Sequence, residues 1–470
     1  MRIRVLGQNL PASLAVLALI EGLLAFLALY AAVSIRFQTA FNHLWELEQQ
    51  FVLGPLLLRG LTFAAIVVIC LLAFGLYSGR QRARPAGVLV RLGAALLVAS
   101  GVLAAVQYFV PSLHLWRGVS ALAVILVGCG VLASRLVFAR AVGQDMFKRQ
   151  VLVYGAGSSA AAIARLRRST DRRGFLLLGF VQPPGEDAAV PAERLLNPSG
   201  NLRRLCERLA VTEVVVAMDD RRRGFPITEL LECRLAGVDV IELLTFLERE
   251  TGRVRVEVLT PSWIIFGQGF RRGPLRLFSS RTLDVLASIG VLALSAPIML
   301  LTVIAIKLED GWRAPALYSQ RRVGLGGRTF NLIKFRSMHQ DAERNGAQWA
   351  QQGDPRVTRV GALIRKLRID ELPQLINVLR GHMSLVGPRP ERPEFVGKLS
   401  EKIPYYVQRH CVKPGITGWA QLCYPYGSSE QDALEKLQYD LYYIKNKNLL
   451  FDLAILVQTA EVVLFSKGAR

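Results

Sequence analysis

Residues 285–306 read Val285-Leu-Ala-Ser-Ile-Gly-Val-Leu-Ala-Leu-Ser-Ala-Pro297-Ile-Met-Leu-Leu-Thr-Val-Ile-Ala-Ile306, an uncharged run bracketed by Arg281 and Asp284 on one side and Lys307 on the other. A helix of about 20 apolar residues is long enough to cross a bilayer, so hydropathy alone makes this a membrane helix. Pro297 stands in its middle. Proline in a helix interior removes one backbone hydrogen bond and crowds the carbonyl four residues back, which can bend the helix so that it returns to the leaflet it entered. Two outcomes follow: a kinked spanning helix, or a re-entrant one that only dips into the membrane. The second is the expectation, because a crossing would carry the remaining basic, soluble-looking sequence to the far side of the membrane.

Four more apolar stretches open the chain, at roughly 11–33, 55–77, 88–110 and 118–139. None resembles a cleavable signal peptide: the first begins too far in, lacks a small-residue cleavage site and is followed by three more. They read as four transmembrane helices. If they alternate, Arg2, Arg4, Arg80, Arg82, Arg84, Arg135, Arg140, Lys148 and Arg149 fall on one side. The other side holds Arg36 and Arg117, with Glu46 and Glu48 as counterweights. Lys and Arg mark cytoplasmic loops, so the N-terminus and everything after residue 140 are expected in the cytoplasm.

A chain of 470 residues with 52% hydrophobic content calls for two or three domains, one of them in the membrane. The formal net charge of +22 suits nucleic acid, anionic lipid headgroups or phosphorylated substrates, and does not choose among them. Nucleic acid is disfavoured, because no recognisable binding module or aromatic interleaving accompanies the charge. Cys70, Cys129, Cys206, Cys233, Cys411 and Cys423 form no CxxC pair and read as reduced thiols. His43, His114, His339, His382 and His410 share no ligand spacing.

Between 146 and 270 the pattern changes. A strand-like run Val151-Leu-Val-Tyr154 leads into Gly155-Ala-Gly157-Ser-Ser-Ala160 and a helical pattern through Arg167. Further strand-like runs at Phe175–Val181, Glu213–Ala217 and Val238–Leu243 alternate with helical ones, which predicts a parallel, Rossmann-like α/β domain. The glycine turn could seat a pyrophosphate, but the acidic ribose ligand expected at the end of the second strand is replaced by Gln182-Pro-Pro. Nucleotide binding and a packing or regulatory role both stay open for this domain.

The densest polar patterning lies at 318–425: Tyr318-Ser-Gln-Arg-Arg-Val-Gly324, Lys334-Phe-Arg336-Ser-Met338, Arg365-Lys-Leu-Arg-Ile-Asp370-Glu371-Leu-Pro373, Gly387-Pro-Arg389-Pro390 and Lys413-Pro-Gly-Ile-Thr-Gly-Trp-Ala-Gln421. Fixed cations beside tight turns suit a doubly charged phosphate. At the centre, Asp370 and Glu371 sit where a short β-type run gives way to a helical pattern, Leu372–Leu379. Asp370 fits an N-cap and Pro373 the first turn. A carboxylate so placed is expected to stay ionised and to act as a nucleophile on phosphorus, with Mg²⁺ shielding its repulsion from a pyrophosphate; plain helix capping is the alternative. Arg365 and Arg389 flank the acids, either of them a candidate phosphate clamp. Lys334 and Arg336 alternate about Phe335 and so would face one side as further phosphate contacts, or simply a solvated face.

These same stretches, together with Met383-Ser-Leu-Val-Gly-Pro-Arg-Pro390, resemble the bacterial sugar transferases known as monotopic phosphoglycosyl transferases over residues 275–470. Four spans and a Rossmann-like domain ahead of them resemble the long form, the polyprenyl glycosylphosphotransferases. The resemblance implies a nucleophilic Asp370 partnered by Glu371, Mg²⁺ at Asp370, phosphate held by Arg365 and Arg389, and a re-entrant helix at about 283–306 broken at Pro297. The family commonly has Ser-Pro at that break; here it is Ala296-Pro297, with Ser295 one place early.

Further, the resemblance implies transfer of hexose 1-phosphate from a UDP-sugar to undecaprenyl phosphate with release of UMP, at the bacterial inner membrane, in exopolysaccharide or O-antigen synthesis. UDP-glucose is expected before UDP-galactose, although no motif fixes the hexose, and a homodimer is expected. The fold class expected is thus a membrane protein of α plus α/β type: a four-helix transmembrane bundle at 1–145, a Rossmann-like α/β domain at 146–270, and a C-terminal α+β catalytic domain at 275–470 anchored by the re-entrant helix.

At the C-terminal end, Leu449–Phe465 is mostly apolar but contains Asp452 and Glu461, too polar to span, and is read as an amphipathic or core helix. Two rival functions compete with this one. A nucleotide-sugar dehydratase or epimerase would need a Tyr-x-x-x-Lys pair, and Tyr443 and Lys447 have that spacing in the wrong domain. A scaffold would be marked by loss of the acidic pair, which is present.

Overall fold

The first apolar stretch forms helix α1 (Ala12–Phe37), and α2 (Leu56–Ala73), α3 (Pro85–Phe109) and α4 (Arg117–Ala141) follow in the computed structural model. It describes residues 2–5, 8–37, 56–77, 85–141, 148–166, 174–197, 201–222, 224–259, 273–340, 342, 354–424, 427 and 429–464. Arg80, Arg82, Arg84, Glu46, Glu48 and Arg167 lie outside them. The chain divides into two compact units, Met1–Phe246 and Leu247–Arg470. Among the described residues five helices are long and apolar enough to cross a membrane: four in the first unit and one, Arg276–Asp310, in the second. The chain is a membrane protein.

Within the first unit α1 packs on α2 and α4, α2 on α3, and α3 on α4. Small and branched residues (Ala25, Ala32, Ala95, Val119, Ala123, Val127) are fully buried where the helices meet. Glu21 of α1 is also fully buried. It accepts from Tyr77 Oη at 2.5 Å and pairs with Arg135 Nε of α4 at 3.0 Å. An isolated charge at that depth would be costly, so the pair ties α1 to α4. Arg135, grouped above with the basic loop residues, is therefore a helix residue whose charge is matched inside the protein.

The Rossmann-like expectation for strands holds in detail. Strands β3 (Arg149–Tyr154), β4 (Phe175–Val181), β5 (Glu213–Val216) and β6 (Asp239–Glu242) form one parallel sheet in the order β4-β3-β5-β6; β1 and β2 are a short N-terminal pair, Arg2–Val5 with Gln8–Pro11. Helices α5 (Ser158–Ala164), α6 (Leu202–Arg208) and α7 (Ile227–Leu235) alternate with the strands, and Leu152, Val181, Leu202, Val214 and Cys233 share one core. At the glycine turn, Asp219 accepts from Ser158 N and Ser159 N, both at 2.7 Å. Glu186 accepts from Ala156 N at 3.0 Å and Asp219 N at 2.8 Å. The backbone donors that would cradle a phosphate are thus taken by the chain's own carboxylates.

Helix α8 (Leu243–Thr251) follows β6, and in the second unit α9 (Pro274–Asp310) runs as one helix with Pro297 inside it. Both of its ends are bonded to the same folded body. Near the start, Arg281 donates to Val378 O at 2.6 Å and Leu379 O at 2.7 Å, and Asp284 accepts from Leu385 N at 2.9 Å and Ser384 Oγ at 3.0 Å. Near its end, Glu309 accepts from Arg359 N at 2.8 Å and Asp310 pairs with Arg336 at 2.6 Å. Between these anchors Leu286, Leu294, Leu300 and Leu301 are more than 60% exposed, the signature of a helix whose outer face meets lipid and not water.

Antiparallel β7 (Leu317–Val323) and β8 (Thr329–Phe335) pair in register Tyr318↔Lys334. Helices α10 (Arg359–Lys366) and α11 (Gln374–Leu379) follow, and Asn377 of α11 pins β8 by accepting from Ile333 N at 3.0 Å. Strands β9 (Ser384–Val386) and β10 (Gly415–Thr417) are parallel, with Gly387 so close to Lys413 O and Gly415 N that a Cβ would not fit. Helices α12 (Pro393–Lys402), α13 (Trp419–Cys423), α14 (Glu430–Asn446) and α15 (Leu449–Leu464) complete the unit. Of the two readings of the C-terminal apolar segment, its inner face is core: Ile455 is fully buried and Asp452 accepts from the buried Tyr443 hydroxyl at 2.8 Å. Residues 248–254, placed above in the Rossmann-like domain, bond to α14: Glu248 pairs with Lys445 at 2.7 Å, and Val254 N donates to Gln438 O at 3.0 Å.

Candidate active site

Asp370 and Glu371 lie in a single 3₁₀ turn, Ile369–Glu371, that enters α11. The chain reaches it through Arg368, whose φ of +61° is left-handed, and the residue flanking α11 is Pro373. Asp370 is therefore not an N-cap. The stretch before the acids is also not β-type: residues 359–366 are helix α10. The left-handed step at Arg368 reverses the chain between two helices, and the 3₁₀ turn presents the two acids side by side.

Their environments differ. Glu371 accepts from Arg389 Nη2 at 2.8 Å, with Arg368 Nη1 at 3.6 Å. Burial works to raise its carboxyl, but Arg389 and then Arg368 outweigh that and hold it below the usual range. Asp370 has a buried Oδ1 without a hydrogen-bond partner. Burial, then the charge of Glu371, push its carboxyl up to about 6, against the pull of Lys334, Arg389 and Arg368. At neutral pH the group is then still mostly ionised, with a smaller margin than an ordinary aspartate has.

Lys334 projects from β8 with its Nζ 5.3 Å from the centre of the Tyr318 ring. Burial, then Arg322, lower its ammonium to about 8, with Asp370 and Glu371 pulling the other way. Arg336 goes elsewhere: β8 ends at Phe335, and the Arg336 guanidinium is buried on Asp310 at the end of α9. Strand alternation does not carry past the strand's end, so Lys334 and Arg336 serve different places. Arg365 is half-buried in the last turn of α10, and among the described residues no ion pair joins it to either acid; Arg368 makes that approach instead. The three-residue spacing from Arg368 to Glu371 was a legible signal for it.

Arg389 is held by its backbone. In the Pro388-Arg389-Pro390 turn the prolines have no N–H to give, so the carbonyls are the handles. Four in succession are bonded: Pro388 O accepts from Gly415 N at 2.9 Å, Arg389 O from Arg409 Nη2 at 3.1 Å, Pro390 O from Arg322 Nη1 at 3.1 Å, and Glu391 O from Val323 N at 2.9 Å. Arg409 is itself buried on Asp440 at 2.9 Å and on the Tyr406 hydroxyl at 2.6 Å. Arg322 stands in the quoted Tyr318–Gly324 stretch with no role expected of it, and nothing in the spacing of Arg409 and Asp440 marks them as partners.

Tyr443, the residue a dehydratase reading would need, has its hydroxyl fully buried against Val386 O and Asp452.

Residues 275–466 match the family described as Bacterial sugar transferase. A UDP-glucose:undecaprenyl-phosphate glucose-1-phosphate transferase of Caulobacter vibrioides is 44% identical over 191 residues, 40% of this chain and 71% of that protein. The chain belongs to the bacterial sugar transferase family. Two further relatives in this family extend beyond the matched domain. One is a UDP-N-acetylgalactosamine-undecaprenyl-phosphate N-acetylgalactosaminephosphotransferase of Aeromonas hydrophila, 45% identical over 241 residues (51% of this chain, 56% of that protein). The other, an undecaprenyl-phosphate glucose phosphotransferase of Komagataeibacter xylinus, is 35% identical over 329 residues (68% of this chain, 60% of that protein). This bacterial sugar transferase thus spans somewhat over half the length of those two relatives.

Proposed function

We propose that this chain transfers a hexose 1-phosphate from a UDP-sugar to undecaprenyl phosphate, releasing UMP, at the cytoplasmic face of the bacterial inner membrane, as a first step of exopolysaccharide or O-antigen synthesis. The observation that carries this is the unequal acid pair: Glu371 is engaged by Arg389, while Asp370 keeps a buried oxygen without a partner among three cations. An ionised carboxylate freed of hydrogen bonds and screened from water is a competent nucleophile, and the cations suit the charge of a transferring phosphoryl group.

In the first half-reaction an Asp370 oxygen attacks the sugar-bearing phosphorus, the bond from that phosphorus to the bridging oxygen breaks, and UMP leaves with the electron pair. In the second, a phosphate oxygen of undecaprenyl phosphate attacks the same phosphorus and the Asp370 carboxylate departs. Lys334, Arg389 and Arg368 offset the charge on the transferred phosphoryl group, and Glu371 fixes the Arg389 guanidinium. The orphaned Asp370 oxygen is a hard ligand that would hold Mg²⁺, with substrate phosphates and water filling its other positions. When bound, Mg²⁺ would shield the carboxylate from the pyrophosphate.

The placement of α9 as a re-entrant helix rests on the bonding of both its ends to one folded unit. A straight helix would separate Asp284 from Asp310 by about 39 Å. Yet Arg281 bonds Val378, the preceding residue, Asn377, bonds Ile333, and three residues beyond Ile333, Arg336 bonds Asp310.

Purified protein is incubated with UDP-glucose, UDP-galactose or UDP-N-acetylgalactosamine and undecaprenyl phosphate, and UMP is quantified. UDP-glucose is the first donor expected; the Aeromonas relative's name makes the acetylated sugar an equal test. Release of UDP in place of UMP, or no nucleotide product from any donor, would refute the proposal. Reporter fusions after Lys307 should report the same side as fusions after Arg149.

A further inference from the structure

Lys413 opens one of the stretches singled out in the sequence, yet it takes no part in the chemistry above. Its Nζ and Nη2 of Arg281 converge on Gly381: a Cβ added there would lie 3.7 Å from the first and 3.9 Å from the second. Gly381 has a φ of +81°, closes α11, and lies at the other end of that helix from Asp370. Lys447, whose charge acts on Lys413 and whose Nζ lies 5.8 Å from the centre of the Tyr443 ring, joins the group. Among the described residues neither Lys413 nor Lys447 has an ion-paired acid, and neither donates a side-chain hydrogen bond. Two carboxylates stand nearby: Asp284 accepts from Ser384 and Leu385 N, Asp452 accepts from the Tyr443 hydroxyl, and both feel the charge of Lys447. Burial, then Arg281, hold the Lys413 ammonium below the ordinary lysine range, with Lys447 adding and Asp284 only partly offsetting.

Arg281 is held in place by Val378 O and Leu379 O, and Asp284 and Asp452 offset part of the charge, which leaves three cations against two carboxylates at one half-buried point and a net attraction for an anion. The location says which kind. Arg281 is one turn before the uncharged run that begins at Val285, so the cluster stands at the root of the apolar helix, where a lipid's phosphate would lie while its tail follows α9.

We propose that Lys413, Lys447 and Arg281 form a binding site for a lipid-borne phosphate, distinct from the Asp370 centre. Two lipids carry that chemistry: the polyprenyl phosphate acceptor and an anionic phospholipid. The site rests on the membrane placement of α9 proposed above, but not on the covalent role of Asp370.

The test uses the full chain in non-ionic detergent, with phosphatidylglycerol and polyprenyl monophosphate titrated separately and binding read by native mass spectrometry. The double variant Lys413→Gln/Lys447→Gln should weaken at least one lipid by about tenfold or more, the loss expected for charge-assisted contacts to a phosphate. The double variant Lys413→Arg/Lys447→Arg should restore it, and Lys398→Gln, an exposed lysine on α12, should change neither. Loss confined to the polyprenyl phosphate, with a raised acceptor KM and an unmoved donor KM, assigns the site to the acceptor before its phosphate moves on to Asp370. Loss confined to phosphatidylglycerol assigns it to a resident headgroup. Unchanged affinity for both lipids, or failure of the arginine pair to restore binding in a protein that melts like wild type, overturns the proposal. Because binding needs no turnover, an inactive enzyme that still binds lipid through these lysines would count against the Asp370 mechanism alone.

Discussion

Arg389 Nη2 donates to Glu371 at 2.8 Å, and in doing so commits one acid of the pair to a structural bond while its neighbour Asp370 keeps an oxygen free. Two adjacent carboxylates would otherwise be chemically alike; the arginine separates their roles.

Asp370→Asn removes the nucleophile but preserves size, so both half-reactions should fall by about a thousandfold or more while the protein inserts and folds as before. Radiolabelled sugar phosphate should mark the wild-type protein and not the variant. Normal lipid-linked product from the variant would rule out the covalent role.

Activity should follow a bell-shaped pH profile. With the Asp370 carboxyl pushed up to about 6, lowering the pH through that value protonates the nucleophile and rate is lost; with Lys334 lowered to about 8, raising the pH through that value removes a phosphate-facing charge. Lys334→Arg should move the alkaline limb upward, because guanidinium does not titrate in this range. An alkaline limb that stays in place would show that another group sets it.

Asp440→Ala leaves the buried Arg409 guanidinium without its carboxylate and should destabilise the catalytic unit by about 3–5 kcal/mol, read from chemical denaturation. Asp440→Asn keeps an acceptor and should cost less. If Arg409 matters for the site and not only for stability, surviving Asp440→Asn protein should show a raised donor KM, since Arg409 holds the carbonyl of Arg389.

The glycine turn of the Rossmann-like domain should not take up a dinucleotide, because Asp219 and Glu186 already bind its amides and would repel a pyrophosphate. Titration with NADH should show no saturable fluorescence change. Asp219→Ala should loosen the turn by about 1 kcal/mol, the cost of losing a side-chain cap, without creating catalysis.

Much of this was legible from local pattern. The strands at Phe175–Val181 and Glu213–Val216, the four N-terminal apolar helices, the apolar helix around Pro297, the adjacent acids Asp370-Glu371 and the Pro-Arg-Pro turn are all written in neighbouring residues. Periodicity and turn chemistry act over a few residues, so they can be read from a few residues.

What the amino-acid order alone determined was therefore which elements form and which side chains carry charge beside them. Only the tertiary structure decided where each charge is spent: Arg336 on Asp310, Arg368 in place of Arg365 beside Glu371, Arg409 on Asp440, Asp219 in the glycine turn. The reason is the range of the forces. Burial and Coulomb interaction depend on distance through space, and residues 31 positions apart, such as Arg409 and Asp440, become a pair only once the chain between them has folded.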